Sequence, residues 1–390
     1  MRSRRIVTDR DAYIILNMLT GIGPVRTSAL IEFCGSPSAI FEHSEADLQR
    51  IRGVSAALAD RIVNWKKAVD PDQELAFTDR AGVQLVTLAD EEYPAWLRGI
   101  HAAPLCLYIR GQIPPETETR SLAMVGTRNA SRYGASMARH LAESAAYSAW
   151  ITVSGLAVGI DTIVHRATLD AGGKTVAVLG GGLARFHPQE NLDLARDIVS
   201  SGGAVITEFP MTTSPSRHSF PTRNRIISGL SLGTLVVEAG VNSGSLITAA
   251  HALEQGKRIF AVPGPADAAG SNGCNALIRK GAVLVENFEH ILEDFEFLPG
   301  FEGKNRDLSF REDTTGSDAA SDSGGTDDGA LSAGDEVILE HLKKAEKLTL
   351  DALSARMPET PASSILSSLI ALEILRRIRK NPDGSYTRIR

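Results

Sequence analysis

The chain has 390 residues, of which 43% are apolar and 5% aromatic, so it is long enough for about two to four globular domains. No stretch approaches the roughly 20 consecutive apolar residues that a membrane-spanning helix requires. The three cysteines (Cys34, Cys106 and Cys274) are too far apart in sequence to form a CxxC motif. These features favour a cytoplasmic protein with free thiols and no membrane association.

The formal net charge of −6 is concentrated in one segment. Residues 299–334 are rich in Gly, Ser and Asp, and with residue 335 they contain nine acidic and three basic side chains. This composition is typical of an acidic disordered linker. The remaining parts of the chain are near neutral overall, so the net charge does not exclude a local basic surface that binds nucleic acid.

Residues 1–70 are predicted to form a helical domain. The segments 19–33 and 51–65 each contain a helix end, a glycine turn and an apolar helix. This pattern resembles the helix-hairpin-helix (SAM-like) motif, in which the backbone N–H groups around Gly21 and Gly23 bind a DNA phosphate. The alternative is a purely structural packing module, because the second segment has one glycine where the motif has two.

A single α/β domain is predicted for residues 121–298. It follows a connector (71–120) that contains two apolar runs, which are predicted to be strands leading into the sheet. Short apolar strands alternate with helical segments, which predicts an extended Rossmann-like, doubly wound parallel sheet whose first strand is central. The seven strands of this domain are predicted at 122–125, 151–153, 175–179, 204–207, 234–237, 258–262 and 283–285.

Glycine or another small residue follows nearly every predicted strand, at the carboxyl edge where such sheets bind ligands. Gly126, Thr127 and Arg128 follow the first strand, and Ser154 and Gly155 follow the second. Neither GxGxxG nor GxxxxGK[ST] occurs, so the motifs predict no nucleotide cofactor. The histidines lack metal-ligand spacing, and no metal site or catalytic residue is predicted.

The stretch between Glu208 and Glu238 contains no acidic residue but several cations and an aromatic. Arginine pairs with phosphate through its planar fork, and an aromatic ring stacks on bases. We expect this loop to share one face of the sheet with the Arg128 turn. The alternative is that some of its arginines pair with Glu208 or Glu238 inside the protein. The candidate side chains are Arg217, Phe220, Arg223, Asn224 and Arg225.

Residues 335–390 are predicted to form a winged helix. Three helical patterns (337–342, 350–357 and 363–375) precede a hairpin with a turn at 381–384. The third helix has no basic residue, so a protein contact or auxiliary role is favoured over sequence-specific binding of duplex DNA.

Seven segments of the chain, taken in order, carry a family resemblance: VGTRNASRYG (125–134), SGLAVGIDTIVH (154–165), VAVLGGGL (176–183), HPQEN (187–191), FPTRNRIISGLS (220–231), LVVEAGVNSGSLITAAHALEQGKRIFAVPG (235–264) and SNGCNALIRKGA (271–282). In sequence and order they resemble the bacterial DNA-processing protein A family (DprA, also called Smf). The chain departs from the family pattern at 184–187, where it has Ala-Arg-Phe-His in place of a segment that often contains an acidic residue and a tyrosine.

The resemblance implies a non-catalytic protein that binds single-stranded DNA, protects incoming DNA during natural transformation and loads the RecA recombinase onto it. It also implies a homodimer formed through the Rossmann-like domain. The resulting set of candidate DNA-binding residues is Gly126, Thr127, Arg128, Ser154, Gly155, Arg217, Phe220, Arg223, Asn224 and Arg225, with Gly21 and Gly23 as candidate phosphate contacts in the helical domain.

Two other functions remain open at this stage. Residues 229–238 partly match the PGGxGTxxE motif of phosphoribohydrolases that act on nucleoside monophosphates. They lack its proline and paired glycines, and Glu238 comes one residue late, which turns its side chain to the opposite face of a strand. We therefore expect Glu238 to orient an arginine or to cap the helix that begins near Ser243. The third hypothesis is a regulatory or scaffolding protein dominated by the winged helix.

Overall fold

The computed structural model describes residues 7–295, 333–344, 347–357, 377–380 and 385–388, together with positions 365, 369 and 372. The chain divides into two compact units, Met1–Asn305 and Arg306–Arg390. The domain boundaries predicted at residues 70 and 120 fall inside the first unit. The predicted linker, 299–334, lies outside the described residues except for its last two positions.

The helices of the first unit include those of an N-terminal helical segment and those that connect the strands of the sheet. They are α1 (Asp9–Met18), α2 (Pro24–Cys34), α3 (Glu45–Leu48), α4 (Ala56–Val63), α5 (Trp65–Ala68), α6 (Pro71–Arg80), α7 (Ala95–Arg98), α8 (Arg132–Tyr147), α9 (Ile160–Asp170), α10 (Leu192–Ser200), α11 (Ser219–Gly229), α12 (Ser245–Glu254), α13 (Asn272–Arg279) and α14 (Glu289–Phe295), with short 3-10 helices at Ala39–Glu42, Pro115–Glu118, Leu183–Arg185 and Gln189–Asn191.

The strands of the first unit form one nine-stranded sheet with the order β1-β2-β6-β5-β4-β3-β7-β8-β9. They are β1 (Gln84–Thr87), β2 (Cys106–Gly111), β3 (Ser121–Val125), β4 (Ile151–Ser154), β5 (Thr175–Val178), β6 (Ala204–Thr207), β7 (Gly233–Val236), β8 (Arg258–Ala261) and β9 (Val283–Leu284).

The predicted parallel sheet is confirmed for the seven strands β3 to β9, and β3 is their middle strand. The connector strands differ: β1 pairs antiparallel with β2, and β2 pairs antiparallel with β6. The sheet is therefore mostly, not wholly, parallel. The chain builds outward from β3 to β6 and then returns to β7 on the other side of β3. This reversal of strand order opens a crevice at the carboxyl ends of β3 and β7.

Strand β3 shows why the centre of the sheet reads as a continuous apolar run. Ala123 and Val125 pack on one face, with the hydrophobic residues of α11 and α12. Leu122 and Met124 pack on the other face, with those of α8 and α9. Successive side chains of a strand point to opposite faces, so a strand covered on both sides needs apolar residues at every position.

The N-terminal helices pack against the antiparallel edge of the sheet. Their core is continuous with Leu85 of β1 and with Cys106 and Tyr108 of β2. Helix α1 begins with a capping box between Thr8 and Asp11, which satisfies two otherwise unpaired N–H groups. No helix in the described part of the chain has both the length and the apolar character that crossing a bilayer requires.

The second unit contains α15 (Ala333–Lys344), α16 (Leu350–Arg356) and an antiparallel hairpin of β10 (Ile378–Lys380) and β11 (Tyr386–Arg388). Ile365, Leu369 and Leu372 are buried with Ile338 and Tyr386 in one core. Most of the third predicted helix and the hairpin turn lie outside the described residues. The winged-helix assignment therefore stays a prediction.

The aromatic cluster behind β3 provides a test of this packing. Trp150 is 1% exposed, and its ring centroid lies 5.6 Å from that of Phe288 and 5.5 Å from that of Phe295. Trp150→Ala should lower the free energy of unfolding by about 3 to 5 kcal/mol, because it leaves a cavity in a closed core. The control Tyr147→Ala removes a ring that is 62% exposed. Urea unfolding should separate the two variants; equal losses would contradict this packing.

Candidate nucleic-acid interface

A cavity of about 460 Å³ lies at the crevice between β3 and β7, and we call it the Arg128 cavity. Four segments build its wall: the turn after β3, the segment from Ala157 to Asp161 that leads into α9, the start of α11 with the loop before it, and the start of α12. It therefore lies at the reversal of strand order, where doubly wound sheets bind ligands. Its polar and aromatic lining residues include Thr127, Arg128, Asp161, Arg217, Phe220, Arg223, Asn224, Ser243, Ser245 and Thr248.

The turn after β3 is held tightly, which fixes the position of Arg128. Thr127 donates its N–H to the Glu238 carbonyl (2.8 Å) and accepts the Ile160 N–H (3.1 Å). A side chain at Gly126 would place its Cβ 2.6 Å from Cγ1 of Ile160, so the sharp turn requires glycine. Arg128 is exposed at the tip of this turn.

Arg128, Arg217 and Phe220 converge at the rim of the cavity. The guanidinium carbon of Arg128 lies 5.3 Å from the centroid of the Phe220 ring, within cation–π range. Arg217 is exposed just before α11. Neither arginine forms an ion pair with any described residue, so both guanidinium groups can receive an anion. The expectation that the loop and the Arg128 turn share one face is met.

Arg223 is buried and holds the sheet edge together. Its Nη1 donates to the carbonyls of Gly155 (2.7 Å) and Val178, which follow β4 and end β5. Asp161 accepts the Gly155 N–H (3.2 Å) beside it. Burial raises the pKa of the Asp161 carboxyl, and the Arg223 charge opposes that rise. Burial lowers the pKa of Arg223 to about 10, so the guanidinium keeps its charge at neutral pH.

Arg225 is buried on the other side of α11, with its fork occupied by Glu208. The two side chains form a bidentate pair, Nη1 to Oε1 at 2.5 Å and Nη2 to Oε2 at 2.7 Å. Its Nε donates to the Ala102 carbonyl (2.8 Å). The sequence left open whether an arginine of this stretch pairs inside the protein. The only indication of such a pair was that an acidic residue, Glu208 or Glu238, stands at each end of the stretch.

The candidate residues therefore fall into an accessible and a buried group. Arg128 and Arg217 are exposed, while Gly126, Thr127, Phe220 and Asn224 are partly exposed. Ser154 is fully buried and donates to the Met124 carbonyl at 2.6 Å. Gly155, Arg223 and Arg225 are also buried, and of this second group only Arg223 lines the cavity.

The start of α12 also lines the cavity, although the sequence patterns did not predict that it belongs to the site. Ser243 and Ser245 hydrogen-bond to each other (2.7 Å), and Gly244 precedes the helix. A helix N-terminus carries a partial positive charge that favours anions. The small residues between β7 and an apolar helix were the available signal.

Glu238 does not have either predicted role. Its carboxylate accepts the Ser131 N–H at 2.9 Å, at the start of α8 rather than α12. It is buried and is not among the residues that line the cavity. Glu238 thus fixes the segment that follows Arg128.

The glycine turns of the N-terminal helices lie near the start of α11. Gly21 has a φ of 88°, which favours glycine, and Gly23 precedes α2 as its N-cap. A second cavity, of about 770 Å³, lies between Gly23, Arg26 and Arg52 on one side and Pro221 and Thr222 on the other. We call it the Gly23 cavity. Gly21 is not one of its lining residues.

A doubly wound sheet with arginines and an aromatic at its switch point is the arrangement of an α/β protein that binds an anionic ligand at the carboxyl edge. The described residues contain no cluster of three His, Cys, Asp or Glu side chains that could hold a metal ion. The site so described can pair with negative charge and stack on a flat ring.

Comparison with known proteins agrees with this class. A family model described as DNA recombination-mediator protein A matches residues 84–296. Protein Smf of Escherichia coli is 40% identical over 256 residues, covering 65% of this chain and 68% of the relative. DNA processing protein DprA of Bacillus subtilis is 40% identical over 220 residues, covering 56% and 74%. The X-ray structure of DNA processing protein A from Streptococcus pneumoniae has a TM-score of 0.63 and 32% identity, covering 75% and 99%.

The chain therefore belongs to the DNA-processing protein A (DprA/Smf) family. Members of this family are DNA-processing mediators rather than catalytic enzymes. The phosphoribohydrolase alternative is accordingly set aside, in keeping with the position of Glu238 outside the cavity.

The Glu208–Arg225 pair should be essential for the stability of this site. Glu208→Gln leaves the Arg225 charge buried without its partner and should lower the free energy of unfolding by about 3 to 5 kcal/mol. The double variant Glu208→Leu with Arg225→Met should lose less, because neither charge is then buried. Asp193→Asn, which removes one partner of an exposed pair with Arg196, is the control. Urea unfolding of the four proteins tests this; a double variant less stable than Glu208→Gln would contradict it.

Stability should also fall at acid pH because of His165, a buried residue of α9 that hydrogen-bonds to Thr175 of β5 (2.7 Å). Burial lowers the pKa of His165 to about 3, against about 6.5 in an unfolded chain. The folded state therefore binds fewer protons, and acidification below about pH 6.5 favours unfolding by up to about 1.4 kcal/mol per pH unit. In the variant His165→Gln, the melting temperature should depend less strongly on pH in this range. An unchanged curve would contradict the buried, neutral state.

Proposed function

We propose that this protein binds single-stranded DNA without sequence preference, protects incoming DNA during natural transformation and loads the RecA recombinase onto it. The observation that carries the proposal is the convergence of Arg128, Arg217 and Phe220 at the Arg128 cavity. Two guanidinium groups that form no ion pair in the described structure can pair with phosphates, and the ring of Phe220 can stack on a base.

The preference for an unpaired strand follows from the stacking geometry. A paired base inside a duplex has its faces covered by neighbouring bases, so Phe220 can stack only on a base that has left the helix. The phosphate contacts apply to any sequence.

A lack of sequence preference follows from the few polar side chains available for base edges. Asn224 already donates to the Gly244 carbonyl (3.2 Å), and Ser243 and Ser245 bond to each other. Sequence discrimination needs donors and acceptors aimed at base edges, and these groups are already engaged.

Arg223 and Arg225 support this function from inside the protein. They attach α11 to the ends of β4 and β5 and to Glu208, which keeps Phe220 and Arg217 at the rim of the cavity. We propose that both act as positioning residues. Ser154 and Gly155 support them, Ser154 through its hydrogen bond to the Met124 carbonyl and Gly155 through its carbonyl, which accepts from Arg223. Gly126 and Thr127 present Arg128.

The helical segment extends the same surface in this proposal. The Gly23 cavity combines the backbone at Gly23 and Gly53 with Arg26 and Arg52, and N–H groups at such turns bind phosphates. Gly21, in the same turn, sets its backbone geometry. We propose that a longer strand continues from the Arg128 cavity past Pro221 towards this turn.

The partners and location rest on broader observations. Recombination mediation is the description of the matching family and supports RecA as the partner. In the described structure β9 pairs on one side only, with β8, and it bears the exposed Leu284; this edge supports a homodimer. Three free cysteines support a reducing, cytoplasmic location.

Alanine variants at the cavity rim test the proposal. Arg128→Ala and Arg217→Ala should each weaken binding to single-stranded DNA, and each should reduce the slope of log affinity against log salt by about 0.7, the value expected for one lost phosphate contact. Phe220→Ala should cost about 1 to 3 kcal/mol of binding free energy through lost stacking, with the salt slope unchanged.

The control is Arg166→Ala on α9, which removes an exposed arginine that lines neither the Arg128 cavity nor the Gly23 cavity. It should leave both affinity and salt slope as they are. Fluorescence anisotropy with a labelled oligothymidylate measures both quantities. Unchanged affinity in Arg128→Ala and Arg217→Ala would refute the site.

A further inference from the structure

Phe220 also borders a third cavity, of about 480 Å³, which faces away from β7 and towards the loop after β5. We call it the Arg185 cavity. It shares Arg217 and Phe220 with the Arg128 cavity. The loop after β5 contributes Arg185, Phe186, His187 and Gln189 to its lining.

The loop that forms its outer wall is held in place by the body of the protein. Gly182 donates its N–H to the Thr213 carbonyl (2.9 Å), and Ala184 donates to the Met211 carbonyl (2.9 Å). A side chain at Gly182 would collide with the backbone carbonyls of Pro210 and Met211, so the loop and the segment before α11 lie in direct contact. The wall is therefore fixed relative to Phe220.

The far end of the loop is fixed as well. Asn191 is 3% exposed, and its Nδ2 donates to the Leu156 carbonyl (2.9 Å) and to Thr162 Oγ1 (2.8 Å). Gln189 donates to the Phe186 carbonyl (2.7 Å). Both ends are thus tied to the protein, and the residues between them present a preorganised surface.

The side chains on this surface repeat the chemistry of the first cavity. The His187 ring centroid lies 6.1 Å from that of Phe220, with the two planes at 48°. Arg185 is exposed and forms no ion pair with any residue that the structure describes. Glu190, the acid nearest to it in the loop, is not one of the lining residues. The cavity therefore combines aromatic rings with two unpaired cations, Arg185 and Arg217.

We propose that the Arg185 cavity is a second nucleotide site, which holds the neighbour of the nucleotide in the Arg128 cavity on the same strand. Arg185 pairs with a phosphate, the base packs against Phe186 and His187, and Arg217 lies between the two sites. This inference rests on the proposed binding of single-stranded DNA and adds to it a direction: the strand passes over Phe220 towards the loop after β5.

A series of oligothymidylates that grow by one nucleotide tests the second site. The double variant Arg185→Ala with His187→Ala should bind the shortest oligomers like the unaltered protein. It should bind longer ones about tenfold more weakly, as expected for a lost stack and phosphate contact. The affinity of the variant should stop increasing at a certain oligomer length, and at that same length the affinity of the unaltered protein should continue to increase. Both side chains are exposed, so thermal melting should confirm that the variant is folded.

Salt dependence separates this site from a general effect of charge. Arg185→Ala should reduce the salt slope for long oligomers by about 0.7, Arg185→Lys should retain it, and Arg166→Ala should not change it. Equal losses at every length, or no loss at any length, would overturn the second site. Arg128→Ala in the same series should weaken binding at all lengths; if it does not, the proposed function fails, whatever Arg185 shows.

Discussion

The anchoring of α11 by two buried arginines is the constraint on which the rest of the site depends. Arg225 is locked onto Glu208 by a bidentate pair, while Arg223 bonds to the carbonyls that follow β4 and end β5. A buried charge is tolerated only when it is paired or fully hydrogen-bonded, so neither side chain can leave its place without a large cost. The helix therefore crosses the carboxyl edge of the sheet in one position.

This anchoring divides the arginines of one short stretch into two kinds. Buried arginines fix α11, and the exposed Arg217 meets the Arg128 turn across the ring of Phe220. The turn itself is fixed by Gly126 packing on Ile160 and by the Glu238 backbone. The exposed cations Arg128 and Arg217 are thus carried by rigid segments of the fold. Because these segments need not be ordered on binding, less entropy is lost when a flexible strand binds.

The sequence predicted the seven parallel strands to within one residue, because burial on both faces makes each of them a continuous apolar run. It also predicted the meeting of Arg128 with Phe220, since the first strand of the domain is central. It could not predict which arginine pairs with Glu208: that depends on how α11 crosses the sheet. The sequence pattern of β1 and β2 also could not show that these strands run antiparallel to their neighbours. Side chains alternate between the two faces with the same period in parallel and antiparallel strands.

The most direct test of the central claim is a salt titration of the full-length chain against single- and double-stranded oligonucleotides of equal length. Phosphate neutralisation combined with base stacking predicts tighter binding to the single strand at every salt concentration. It also predicts a linear fall of log affinity with log salt and a residual affinity at high salt from stacking. Equal or tighter binding to the duplex, or an affinity independent of salt, would contradict the account.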